Sequence, residues 1–554
     1  MTERSGTLLV NRVDIDNRSV RAGELAWRAG VITGWHDLGG ENPALPYVAP
    51  GFVDAHVHLE SSLLPPSEFA RLAVRHGTVA AVSDPHEIAN VLGVAGVHWM
   101  LDNIASTPFH VLLGAPSCVP ATPFESAGAL LNAVEVESLL DTPGIGYLSE
   151  VMNFPGVLSG EPELMAKLAA ALLRNLPIDG HAPGLIGKAA VAYAQAGIGT
   201  DHECSTLVEA EDKIHAGMRI LIREGSAARN FEALHPLIGR YPGQVMLCTD
   251  DCHPDDLVRG HINRLVARAV AHGHDLFSVL RAACLTPQEY YGLGLGQLRP
   301  GDPMNAVLLA DLRDFTALAT WLDGVCVADN GQSRLPKLAC APVNRFAAAE
   351  ARAEDLRIPA PAGANFVLCR VIAAEDGQLL TRALALPMRC RDGFVEVSVA
   401  DDVLLLAVIN RYRPAPPAVA LIHGFGLKSG ALASSVAHDS HNVIGIGCDA
   451  ASLADAMNTV IRRHGGLAVA HSGKTDILPL PLAGLMSDED GDVVATRYAA
   501  LTESVRSGLG SLMRAPFMTL SFMALLVIPE IKLSDRGLFD GVHFAFTEPV
   551  IRFG

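Results

Sequence analysis

From Gly51 to about residue 300 the chain alternates short apolar runs with helical segments, and that rhythm restricts it to a parallel α/β architecture. GFVDAHVHLE, TVAAVSD, HVLLGAP, GIGYLSE, PIDGHA, GIGTDH, RILIRE and QVMLCTD read as eight strands. Between them lie segments such as PSEFARLAVRHG, EPELMAKLAAALLRN, GKAAVAYAQAG and LVEAEDKIHAGM, which read as helices. Eight strands are what a closed (β/α)8 (TIM-type) barrel needs. The polar residues recur at strand C-terminal ends, where such a barrel carries its active site. A barrel of this kind is expected over residues 49–299, with an open doubly wound sheet as the structural rival.

With 554 residues the chain is too long for one compact core. TLLVNRVDI, ELAWRAG and VITGWHD alternate apolar and polar positions, and a β pattern returns in LGQLRPGDPMNAVLLADL and GVCVADNG. Residues 1–48 and 300–340 are therefore expected to form one small composite β domain. A stretch rich in Ala, Pro and charge, about 341–365, reads as a connector, and 366–554 as a C-terminal α+β domain. Phe517–Pro529 is strongly apolar but too short to span a bilayer, so it is expected to be buried.

Lys plus Arg number 42 and Asp plus Glu 60, a formal charge of −18. A field of that sign disfavours nucleic acid and anionic membranes as partners, and leaves small uncharged molecules open. The ten cysteines include no CxxC pair and read as reduced thiols. No apolar leader follows Met1. A cytoplasmic enzyme is expected.

The chemistry concentrates at the strand ends. His56 and His58 lie two apart on a strand, so both imidazoles face one side. Glu150, His181, His202 and Asp250 each end a different strand. All six are ligand types for divalent transition metals. Four imidazoles and two carboxylates exceed what one tetrahedral ion requires. They suit two ions with Glu150 between them, which lower the pKa of a shared water. Asp250 is expected to bind metal and to serve as base and then acid, although Asp251 beside it is an alternative ligand. Glu203 enters the same pocket as a proton donor if the backbone turns after His202. His86 and Glu87, in Asp84-Pro85-His86-Glu87, supply a further cation site or a substrate contact. His253 contacts substrate or orients Asp250, Asp255 and Asp256 cap the next helix, and His438 and His441 reach over the barrel mouth.

PGFVDAHVHLESS, SDPHEIANVLG, SEVMNFPGVL, DGHAPGL, GTDHECSTLVEA, IREGSAARN and TDDCHPDDLVRGHINR resemble the adenine deaminase branch of the amidohydrolase superfamily. PQEYYGLG, ALASSVAHDSHN, PLAGLMSD and PFMTLSF extend the resemblance, in order, through the C-terminal part. The resemblance implies hydrolytic deamination of adenine to hypoxanthine and ammonia by a metal-activated hydroxide. It also implies manganese or iron as the two ions, with zinc as an alternative, and His56, His58, Glu150, His181, His202 and Asp250 as their ligands. Many superfamily members bridge their metals with a carboxylated lysine; here Glu150 stands at that strand end. A homo-oligomer is expected for this class. The alternative keeps the site and changes the substrate to another aminopurine, a nucleoside or a cyclic amide.

Overall fold

The computed structural model describes residues 4–226 and 228–551. Five strands, β1 (Phe52–Val57), β2 (Thr78–Ser83), β3 (His110–Ala115), β4 (Ile145–Val151) and β5 (Ile178–Gly180), pair side by side in that order, all parallel. β6 (Thr200–Asp201), β7 (Arg219–Arg223) and β8 (Val245–Cys248) form a second parallel run. The two runs meet where Gly199 N donates to Ile178 O at 2.9 Å. At the other side, Asp250 N donates to His56 O at 2.9 Å and His58 N to Asp250 O at 3.2 Å, which ties the end of β8 to β1.

Strands such as β1, β2 and β8 are buried throughout. Burial on both faces suits the near-continuous apolar runs of a parallel sheet covered by helices. The helices are amphipathic to match. In Ile262–Ala271, for example, Ile262, Leu265, Val266 and Ala269 face inward while Arg264 is exposed.

The N-terminal strands join the segment that follows the parallel sheets. Gly6–Asp14, Ser19–Arg28, Val31–Gly40 and Tyr47–Pro50 share an eight-stranded sheet with Ala306–Leu309, Ala317–Leu322, Val325–Asp329 and Gln332–Ser333. The junction is Tyr47–Pro50 against Ala306–Leu309, antiparallel. Beyond the connector, a ten-stranded sheet builds the C-terminal part, and the helix Ala450–Arg462 packs on it through Leu453, Ala456, Met457 and Val460. The apolar segment that starts at Phe517 is largely buried, and its first half belongs to the helix Pro516–Phe522. Among the described residues no helix is long and apolar enough to cross a membrane.

Two buried basic side chains of the C-terminal part are partnered by backbone and amide oxygens and by no carboxylate. Arg411 is fully buried and donates to His441 O at 3.2 Å, Ala483 O at 2.5 Å and Asn344 Oδ1 at 2.8 Å. It thereby fixes the loop that follows the strand Ala431–Ser434. Lys532, also fully buried, donates to Leu379 O at 2.6 Å. Burial alone pushes its ammonium down from the ordinary 10.5 to about 7.

Between pH 7 and 10.5 the unfolded chain therefore holds the Lys532 proton while the folded chain has lost it, and the stability lost to this group is recovered as pH rises through that window. Lys532→Met is expected to be more stable than wild type at pH 6, by about 1.4 kcal/mol for each tenfold weakening of proton affinity that burial causes, before the lost hydrogen bond is subtracted. The advantage should shrink toward pH 10. Denaturant midpoints across pH check this; a difference independent of pH would sink the explanation.

Candidate metal centre

All six residues that the sequence places at strand ends converge. Glu150, closing β4, sits among four imidazoles. Its Oε2 is 2.8 Å from His181 Nδ1 and 3.1 Å from His202 Nε2, and its Oε1 is 3.6 Å from His58 Nε2 and 3.3 Å from His86 Nδ1. The carboxylate thus turns one oxygen to the pair from β5 and β6 and the other to the pair from β1 and β2. Asp250 Oδ1 is 3.2 Å from His58 Nε2 and 3.7 Å from His56 Nε2. The rings of His56 and His202 stack with centroids 4.2 Å apart.

Local backbone explains the convergence. β6 stops at Asp201, so His202 and Glu203 lie in a turn and both side chains enter the pocket. Asp250 has φ 58, in the left-handed region. Asp is among the few residues that adopt it routinely. This bend lets its N–H and C=O both bond to β1 while its carboxylate faces His58. Behind the ligands, Asp54 Oδ1 accepts from Thr249 N at 3.0 Å and Oδ2 lies 2.9 Å from His261 Nε2, which anchors β1 to the residue before Asp250.

The cluster fits divalent transition ions. His56 Nδ1 and Nε2, His86 Nδ1 and Asp84 Oδ2 are buried with no hydrogen-bond partner. Buried polar atoms are normally paired, and these are atoms that coordinate such ions. His56, His58 and Asp250 form one close set; His56, Glu150 and His202 form another, and His58, Asp84, His86 and Glu150 a third.

Charge is balanced internally. Burial opposes charge on Glu150, yet His181 and His202 hold its carboxyl well below the usual range. Burial likewise opposes charge on Asp250, but Arg223 and His58 pull its carboxyl well down. Arg223, at the end of β7, donates through Nη2 to Glu203 Oε2 at 2.9 Å and through Nη1 to both Asp250 Oδ2, at 2.6 Å, and Glu203 Oε1. Against its own burial, these two carboxylates push the guanidinium still higher.

The C-terminal part covers the opening. His438 Nδ1 is 2.6 Å from Glu87 Oε1, and His441 Nε2 contacts Glu87 Oε2. Phe522 stacks on His438 with ring centroids 5.0 Å apart, and Leu379, Leu525 and Val527 line the same cavity.

Two expectations need correction. His253 does not line the cavity: its Nδ1 is 3.0 Å from Ser61 O and its ring packs on Tyr498. Asp255 and Asp256 do not cap the helix Pro254–Arg259; His253 occupies the N-cap, and the two carboxylates pair with Arg259 from the first turn. Asp251 faces the cavity and accepts from Ser61 Oγ at 2.5 Å, but it is Asp250 that meets the histidines. Sequence reasoning missed Arg223, Asp439 and the apolar lining. Arg223 was open to discovery, because a cation ending an otherwise apolar strand requires a buried partner.

Comparison with known proteins gives the class first. Residues 47–327, the segment that holds the parallel sheets and the cluster at their ends, match the amidohydrolase family. Residues 378–545 match the adenine deaminase C-terminal domain. An adenine deaminase of Salinibacter ruber is 52% identical over 97% of both chains, and one of Sulfurovum sp. is 52% identical over 97% of this chain and 98% of its own. One of Methanosarcina mazei is 46% identical over 97% of this chain and 98% of its own. The chain belongs to the adenine deaminase family.

Removing Arg223 leaves Glu203 and Asp250 buried beside each other. Arg223→Leu is expected to cost about 3–5 kcal/mol of stability, the usual penalty for breaking a buried ion pair. Arg223→Lys should restore part of it. Urea denaturation of the three proteins checks this; wild-type stability in the Leu variant would refute the charge-balancing role.

Proposed function

We propose that this chain converts adenine and water to hypoxanthine and ammonia at a centre of two divalent metal ions. The observation that carries the reading is Glu150, whose two oxygens face separate histidine pairs as a bridging carboxylate's would. The substrate rests on the near-full-length likeness to proteins named adenine deaminase. His56, His58, Asp250 and Glu150 would hold one ion, and Glu150, His181 and His202 the other. Manganese or iron is the proposed metal, with zinc as the alternative. Divalent ions bound there would supply a strong local positive charge and make water acidic enough to ionise near neutral pH.

The protein's own groups do the rest. Water adds at C6 of the purine; one of its protons passes through Glu203 to N1, and the other, released as the C6 hydroxyl becomes a carbonyl, passes through Asp250 to the departing amine. Arg223 touches both carboxylates, so each is oriented and its charge compensated before the reaction. Phe522, Leu525 and Val527 offer apolar surface to the purine and exclude water.

We further infer that β1 to β8 close into a (β/α)8 barrel. The hydrogen bonds from Gly199 to Ile178 and between Asp250 and β1 support closure at both gaps. The cytoplasm is the proposed compartment, supported by the ten free thiols.

Protein loaded with Mn(II) or Fe(II) should turn over adenine, read as loss of its absorbance with ammonia release, and leave adenosine and hydantoin unchanged. Fully metallated protein inert toward adenine would overturn the substrate. Asp250→Asn should lower kcat by roughly 10²–10⁴-fold, the range for a lost general acid–base.

A further inference from the structure

We propose that a third divalent cation is held across the interface between the parallel-sheet domain and the C-terminal part, by Glu87 and His86 from one side and His438 and Asp439 from the other. All four are buried, none more than 4% exposed. His438 Nδ1 is 2.6 Å from Glu87 Oε1, His86 Nε2 is 3.6 Å from the same oxygen and 3.8 Å from Asp439 Oδ1, and His438 Nδ1 is 3.8 Å from Asp439 Oδ1. Ligands on one ion at bond lengths near 2.0–2.2 Å stand ~3–4 Å from each other, as the three longer of these pairs do, and the His438–Glu87 pair would open slightly to admit the ion.

The alignment of these atoms separates a cation site from a plain ion pair. Glu87 Oε1 makes no hydrogen bond despite the proximity of His438 Nδ1, and Asp439 Oδ2 is likewise buried without a partner. An imidazole and a carboxylate that are close but misaligned as donor and acceptor are arranged as two ligands of a common ion would be. The other oxygen of Glu87 is accounted for. His441 Nδ1 accepts from Ala437 N at 3.2 Å, so its Nε2 carries the proton and donates to Glu87 Oε2. That bond orients the carboxylate and leaves Oε1 free. On the far side, His86 Nδ1 faces Asp84 Oδ2 at 3.2 Å and Glu150 Oε1 at 3.3 Å, so Nε2 is the ring atom turned toward Glu87 and Asp439.

A cation at this point would pin the Ala437–Asn442 loop, already tied down by Arg411, onto the helix His86–Leu92. The C-terminal part would then be fastened over the cavity by coordination as well as by packing. The inference rests on the proposed function only in assigning the Glu150 cluster its own two ions.

The test is metal content of the full-length protein after loading with Mn(II) and desalting, for wild type, Glu87→Gln and His438→Ala, with circular dichroism as the check on folding. Three equivalents per chain in wild type and two in each variant is the expected result. Should Glu87→Gln fail to fold, Asp439→Asn, which leaves the His441–Glu87 bond intact, replaces it. Two equivalents in every protein would overturn the third site in favour of a Glu87–His438 ion pair and leave the two-ion centre standing. Three in the variants would also overturn it. One or none in wild type would refute the two-ion reading, and the third site with it.

Discussion

The arrangement of the site depends on one shared carboxylate. Glu150 is buried at the end of β4 with four imidazoles from four different strand ends around it. A carboxylate in that position cannot be neutralised by solvent, so the surrounding groups must supply the compensating charge. His181 and His202 face it from one side, His58 and His86 from the other. The geometry that satisfies Glu150 is also the geometry that gathers the ligands, so the folding requirement and the chemical requirement coincide.

A second balance lies beside the first. Arg223 offsets two carboxylates at once, Glu203 and Asp250, and fixes the orientation of both. Such a buried pair contributes less to net stability than to geometry, because desolvation consumes most of the electrostatic gain. Its value here is positional: Asp250 Oδ2 is taken by Arg223, which leaves Oδ1 toward His56 and His58. Farther out, Arg411 does similar work with neutral partners, converting buried carbonyls into a support for the loop that carries His438 and His441.

The parallel-sheet part and its strand-end ligands were legible in the sequence because both signals are local. An apolar run that ends in a metal-binding side chain identifies its own strand and its own orientation, as with GIGYLSE and Glu150. The SDPHEIANVLG and VAHDSHN segments showed chemistry without showing that they meet. Glu87 and His441 are 354 residues apart, and no periodicity connects them. His253 misled for a related reason: it follows a ligand directly, but the N-cap geometry of the next helix turns it toward Ser61. Arg223 was overlooked because an arginine at a strand end carries no ligand character of its own.

The sequence by itself determined the strand–helix alternation, the residues that meet at the strand ends and the family. Each follows from spacing and residue type over short stretches, and hydrophobic patterning encodes such stretches directly. Only the tertiary structure decided that Glu150 stands between two histidine pairs, that Arg223 joins Glu203 to Asp250, and that the C-terminal part places His438, Asp439 and Phe522 over the opening. Those are contacts between distant segments. Their geometry is set by how sheets and helices pack to bury apolar surface while every buried charge finds a partner, a condition of the whole chain and of no single segment.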